Sequence, residues 1–193
     1  MTKSFGSLAA KVISVGAIIK ATASSITRAM NYIEDENLFQ VSMKKWADST
    51  RDWSKQVQDS VGVSAAWLRK YSGVMTNMTA SMGLAQDQAV KLGKGIALLS
   101  NDIASFYNIS AESAFEKIQS AMAGMPRPLQ ELGIMVRDSE VKQVAYANGI
   151  ARTGDELNTT QKAMATYLAI LQRTSNAQGD LARTINSPAN QFR

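Results

Sequence analysis

The sequence predicts an all-α fold: a multi-helix bundle with coiled-coil-like seams, preceded by an apolar, basic N-terminal helix over residues 1–33. Three observations carry this. Apolar residues recur at steps of four and three along several separate segments, and no segment alternates apolar and polar residues for long. Proline is used only three times in 193 residues. The chain is also rich in Ala, Met, Gln, Lys and Leu, which are good helix formers. The length suits one domain plus an extension, and a compact chain of this size buries roughly 70% of its unfolded surface.

The first segment, from Leu8 to Ile33, places Leu8, Val12, Val15, Ile19, Thr22, Ile26, Ala29 and Ile33 on one helical stripe. A second row of small residues, Ala17, Ala21 and Ser25, would let another helix approach closely. Lys3, Lys11, Lys20 and Arg28 are unopposed by any acid, so the first 33 residues carry +4 of the net +5. Leu8, Lys11, Val12, Val15, Ile19 and Lys20 are therefore candidates for contact with an anionic membrane or for self-association. The longest charge-free run, Val12 to Ile19, is well short of the roughly 20 residues of a membrane span. A signal peptide with cleavage near Ala21-Thr-Ala23 is a competing reading, weakened by Lys20 at the end of the apolar run.

The remaining residues, 34–193, are expected to form one helical domain. Glu34, Asp35 and Glu36 suggest the first turn of a second helix, whose seam is Phe39, Met43, Trp46, Thr50, Trp53 and Val57. Gly62 ends it. Ser64 is placed to cap a third helix to about Ser81, followed by Gly83 in a left-handed C-terminal position. The fourth helix, about Leu84 to Tyr107, has the most regular seam: Ala85, Ala89, Leu92, Ile96, Leu99, Ile103 and Phe106. Asn108 terminates it, and Ser110 caps a fifth helix whose apolar face is Ala111, Ala114, Phe115, Ile118 and Met122. Pro126 and Pro128 make a corner. Asp138 is expected to cap the next helix, which Gly149 ends. Residues 150–157 read as a loop. Asn158 and Gln161 have capping-box spacing for a last long helix to about Asn176.

Composition removes whole classes of chemistry. With no cysteine and no histidine, disulfides, thiolate metal sites, Ser-His-Asp triads and imidazole acid–base catalysis are excluded. Gly93-Lys94-Gly95 lacks the first glycine and the final Ser or Thr of a phosphate loop. Asn77, Asn108 and Asn158 begin glycosylation sequons by spelling but read more simply as caps and turns. Glu112 and Glu116 are paired carboxylates at helical spacing with nothing converging on them. Trp46, Trp53 and Trp67 fit core packing better than base stacking, and no groove-reading nucleic-acid motif is present. The expectation is a non-enzymatic protein without cofactors or specific nucleic-acid recognition.

Two separated blocks remain. The first runs from Leu99 to Ile134 and contains Asp102-Ile-Ala-Ser-Phe106, Asn108-x-Ser110, Ala123-Gly124 and Pro128-Leu-x-x-Leu132-Gly133-Ile134. The second contains Thr174, Ala177-Gln178-Gly179-Asp180, Ala182-Arg183-Thr184 and Ala189-Asn-Gln191. In this order they resemble the core region of phage tail tape measure proteins. Pro188 departs from that pattern, because the family usually has a helix-compatible residue there. The resemblance implies a structural protein of the virion tail lumen, made in the host cytoplasm. Such a protein sets tail length, templates tube assembly and leaves at DNA ejection. Its implied partners are the tail tube protein, tail tip or baseplate proteins, tail assembly chaperones, further copies of itself and the host inner membrane.

Fully helical, the chain would extend only on the order of 290 Å at about 1.5 Å per residue, and it stops just after Ala189-Asn-Gln191. It therefore reads as one part of a longer protein, with ruler or lytic segments elsewhere. The Pro126/Pro128 corner is expected to bring Leu129 and Leu132 against the face of Phe115 and Ile118. Asp180 and Arg183 are expected to anchor the C-terminal segment to that corner. The alternative reading is a membrane-active helical protein, a pore former or secreted effector, acting through its N-terminal helix. Flotation with liposomes separates the two roles of Leu8–Ile33. Salt-sensitive binding of a peptide of this segment to anionic vesicles alone is the membrane outcome. Concentration-dependent helicity without flotation is the self-association outcome.

Overall fold

The computed structural model describes residues 25 and 27–184, and they divide into two units, Met1–Asn37 and Leu38–Arg193. The candidate residues Leu8, Lys11, Val12, Val15, Ile19 and Lys20 lie outside the described residues, as do Pro188 and Ala189-Asn-Gln191. In the first unit residues 27–37 are helical, with Met30, Tyr32 and Ile33 exposed. Helical residues 27–33 precede Glu34, Asp35 and Glu36, so these acids do not open a helix as expected.

The second unit is all-α; among its described residues there is no strand. Its elements are α1 (residues 38–43), a 3₁₀ turn Lys44–Trp46, α2 (Ala47–Val61), α3 (Ala65–Ser81), α4 (Gln86–Tyr107) and α5 (Ala111–Met122). They continue with α6 (Arg127–Gln130), α7 (Asp138–Ala147), α8 (Thr159–Arg173) and α9 (Asp180–Thr184). The expected second helix is thus interrupted at Lys44, where φ is 53°. Its seam survives the break: Phe39, Met43 and Thr50 are fully buried, and Trp46, Trp53 and Val57 are half-buried.

Capping follows the sequence closely. Ser64 accepts from the Trp67 amide and Ser110 from the Ser113 amide. Asn108 takes the left-handed conformation that lets α4 stop. Asn158 and Gln161 form both halves of a capping box at 2.9 and 3.0 Å. Asp138 is a correction. It is the first residue of α7, after an N-cap Arg137 that makes no side-chain cap. Its carboxylate instead pairs with Lys162 at 2.8 Å, which holds its pKa below the ordinary range. The last long helix also ends earlier than expected, at Arg173, and a turn leads to the separate α9.

α4 organises the unit. Eleven of its 22 residues are buried, more than one seam can supply. Leu92, Ile96, Leu99 and Ile103 join the main core with Phe115, Ile118, Leu129, Ile134 and Ile170. Val90 and Ala97 lie on its other flank, packed in two smaller clusters with Phe39 and Met43 and with Leu68. The ends of the expected seam fall out of it, since Ala85 is the N-cap and Phe106 is 46% exposed. The corner belongs to the core as expected. Leu129 is fully buried and Leu132 half-buried in the cluster that holds Phe115 and Ile118. Beyond it, Ile134 and Val136 turn inward around the more exposed Met135.

The Gly93-Lys94-Gly95 string is a packing device. A Cβ on Gly93 would lie 2.6 Å from the Ser72 carbonyl of α3 and in collision with the Thr76 hydroxyl. One on Gly95 would collide with the Tyr167 hydroxyl of α8. Between them, the Lys94 ammonium sits 4.6 Å from the centre of the Trp53 ring. Gly93→Ala gains about 1 kcal/mol of helix propensity but overpacks a backbone contact that cannot yield, at about 1–3 kcal/mol. The net expectation in urea unfolding is a loss of about 1–2 kcal/mol. A variant as stable as the parent would show that α3 and α4 can separate freely.

Candidate functional site

The described parts of the two sequence blocks meet in space at the C-terminal half of α4, where Asp102 and Ser105 bond to residues 179–184. The second block begins where α8 ends. Thr174 donates back to the Ile170 carbonyl, Ala177 is buried, and Gln178 donates to the Leu171 carbonyl at 2.7 Å. Gly179 follows with φ 73°, a left-handed conformation that reverses the chain into α9. A glycine before α9 has no side chain with which to cap it. The cap comes from the first block instead: the Asp102 carboxylate accepts from the Gly179 amide at 2.9 Å and from the Leu181 amide at 3.3 Å. One turn further along α4, the Ser105 hydroxyl donates to the Asp180 carboxylate at 2.7 Å and lies 2.9 Å from the Thr184 hydroxyl.

Asp180 and Arg183 pair at 3.3 Å on one face of α9, as their spacing implies. Their expected anchoring to the Pro126/Pro128 corner is corrected. Asp180 bonds to Ser105 of α4, and Arg183 donates to the Gln178 and Asn176 carbonyls, so the guanidinium clamps the segment's own turn. The reason is geometric. A five-residue helix with no buried residue is held by polar groups, and Asp102 and Ser105 present those groups one turn apart on α4. Gly124 (φ 89°) and Gly133 (φ 75°) shape the corner around Pro128 and Leu132 instead. Sequence reasoning placed Asp102 within the first block but gave it no role. The signal was a helix start with glycine where a capping side chain belongs.

Beside this junction lies an open cleft of about 800 Å³. The connection Val61–Ser64, Trp67, Asn101, the turn Asn108–Glu112 and Leu181 form its walls. Asn108 and Ser110 of the first block therefore line it, next to the docked α9. The Trp67 indole donates to the Glu112 carboxylate at 2.8 Å and stacks with Tyr71, with ring centroids 4.3 Å apart. No grouping of side chains that could hold a metal ion occurs among the described residues. No helix among them is long and apolar enough to cross a membrane. The arrangement can hold and shape a surface.

Comparison of the chain with protein-family models, with curated proteins and with solved structures gave no match.

Burial pushes the Asp102 carboxyl above its ordinary 3.8, against the pull of the two amides it caps; nearby Asp180 adds to the rise and Arg183 opposes it. The folded state thus holds this proton more tightly than the unfolded state. Its contribution is neutral below 3.8, turns unfavourable as pH rises from there through the raised value, and is fully unfavourable above it. Unfolding of the parent and Asp102→Asn, followed from pH 3 to 7, is expected to show the parent losing ground to the variant across that interval. A difference that stays constant with pH, or that favours the parent increasingly, contradicts the assignment.

Proposed function

We propose that this chain is a structural assembly protein of a phage or phage-like-particle tail, acting as the core region of a tape measure protein. The observation that carries the proposal is the meeting of two distant motifs. Asp102 and Ser105 of the first hold Gly179 to Thr184 of the second, although 75 or more residues separate each bonded pair. Two distant segments that hold one another in place are what a structural role requires. In this reading the domain scaffolds tube assembly and length determination in the tail lumen and is released at DNA ejection. Its partners are the tube protein, tip or baseplate proteins and assembly chaperones.

Asp180→Ala tests the reading. Asp180 faces α4, where it accepts from Ser105, but it lies on a five-residue helix with no buried residue, so the variant is expected to loosen α9 while keeping the far-UV helicity of the rest of the unit. In the whole particle it is expected to give few tails, or tails of abnormal length, in electron micrographs. Normal tails in normal yield would remove the motif's acid from assembly. A tail tube gene adjoining the reading frame is the accompanying genetic expectation.

A further inference from the structure

The cleft beside the α4–α9 junction has a floor and a rim whose chemistry is incomplete within the protein. Asn101 lines it and is only 9% exposed. Its amide nitrogen donates to the Ala97 carbonyl at 2.9 Å, while its amide oxygen accepts from no donor among the described residues. Opposite, α5 starts at the cleft. Ser110 caps the Ser113 amide, which leaves the Ala111 and Glu112 amides without an acceptor among the described residues. Val63, Trp67, Ile109 and Leu181 supply apolar walls. Glu112 is the one charged side chain among the described lining residues. One of its oxygens takes the Trp67 indole and the other is open.

We propose that this cleft binds an extended apolar segment of a partner protein that carries a basic side chain beside its apolar one. The complementarity decides among ligand classes. An extended peptide offers N–H and C=O groups alternately, at about 3.3 Å per residue. It therefore meets both the unpaired acceptor of Asn101 and the open donors of α5 while its apolar side chain fills the walls. An anion would face the Asn101 oxygen and the Glu112 carboxylate. A small organic cation would leave the α5 amides unused. Glu112, with no cation among the described lining residues, selects a basic neighbour on the peptide. The cleft volume falls within the roughly 300–1,000 Å³ of sites that enclose a ligand of this size. The proposal does not depend on the assembly reading, and each stands if the other fails.

The test titrates the full ¹⁵N-labelled chain with capped hexapeptides Ac-Ala-Ala-X-Lys-Ala-Ala-NH₂, where X is Ala, Val, Leu, Ile or Phe, and with the same set carrying Glu for Lys. The Trp67 indole and Asn101 amide cross-peaks are followed. A Leu, Ile or Phe member is expected to give saturable shifts with a Kd below about 1 mM. The Glu set is expected to bind several-fold more weakly, and Glu112→Gln to erase that preference while keeping binding. Asn101→Leu is expected to weaken binding about tenfold, the equivalent of about one hydrogen bond. N-methylation of the peptide at X is expected to do the same on the unaltered protein, which keeps the test valid should Asn101→Leu fail to fold. The proposal is overturned if no member saturates, or if N-methylation leaves affinity unchanged. It is equally overturned if the same cross-peaks shift on dilution of the protein alone, which would assign the cleft to a second copy.

Discussion

The close approach of α3 and α4 is the constraint on which the rest of the second unit depends. Ser72 and Thr76 of α3 face Gly93 of α4 with no room for a methyl group, and the Thr76 hydroxyl donates across to the Ala89 carbonyl at 3.3 Å. Small residues on both sides bring the helix backbones together, and the short connection after Ser81 makes the pair a hairpin. With α3 this close, α4 has neighbours on more than one side. Its Leu92–Ile103 seam serves the main core, and Val90 and Ala97 serve the two smaller clusters. Gly73 extends the same device. A Cβ there would lie 3.1 Å from the Phe39 backbone, so α1 also seats closely.

A fixed α4 explains how so small an element as α9 is positioned. Five residues with no buried side chain cannot hold themselves in place by apolar burial. Their order comes from outside, through two amides capped by Asp102 and a hydroxyl–carboxylate bond from Ser105. Hydrogen bonds to charged groups contribute about 1.5–3 kcal/mol when well shielded, and less where water competes. Partial burial of Asp102 strengthens those bonds and also raises the carboxyl's proton affinity, so the same desolvation both secures the latch and sensitises it to pH. Arg183, donating to the Asn176 and Gln178 carbonyls, braces the turn that leads into α9.

The junction and the cleft share their walls. The left-handed Asn108 that ends α4 and the Ser110 that opens α5 form one side of the cleft, and Leu181 of the docked α9 forms another. Asn101 and Asp102 are adjacent in sequence but serve different surfaces. Asp102 accepts from two amides of the α9 segment, while Asn101 donates to the Ala97 carbonyl and lines the cleft. Leu181 and the last two turns of α4 thus belong to both the junction and the cleft.

Local chemistry made most of the helices legible. Ser64, Asn108, Ser110, Gly62, Gly83 and the Asn158–Gln161 box act within four residues of themselves, so the sequence alone determined where α3, α5 and α8 begin and where α2 to α4 end. The four–three spacing likewise determined one buried face per helix. It could not determine the second buried side of α4, because Gly93 and Ala97 carry too little apolar area to register as a seam. Nor could it show that α1 breaks at Lys44, or that Gly93-Lys94-Gly95 is a helix crossing. The pairing of Asp102 with Gly179 spans 77 residues. Nothing local distinguishes a carboxylate that will cap a distant helix from one that will face water. That choice belongs to the tertiary structure, because only the packing of α4 against α3 and α5 decides which face of α4 is left for the returning chain.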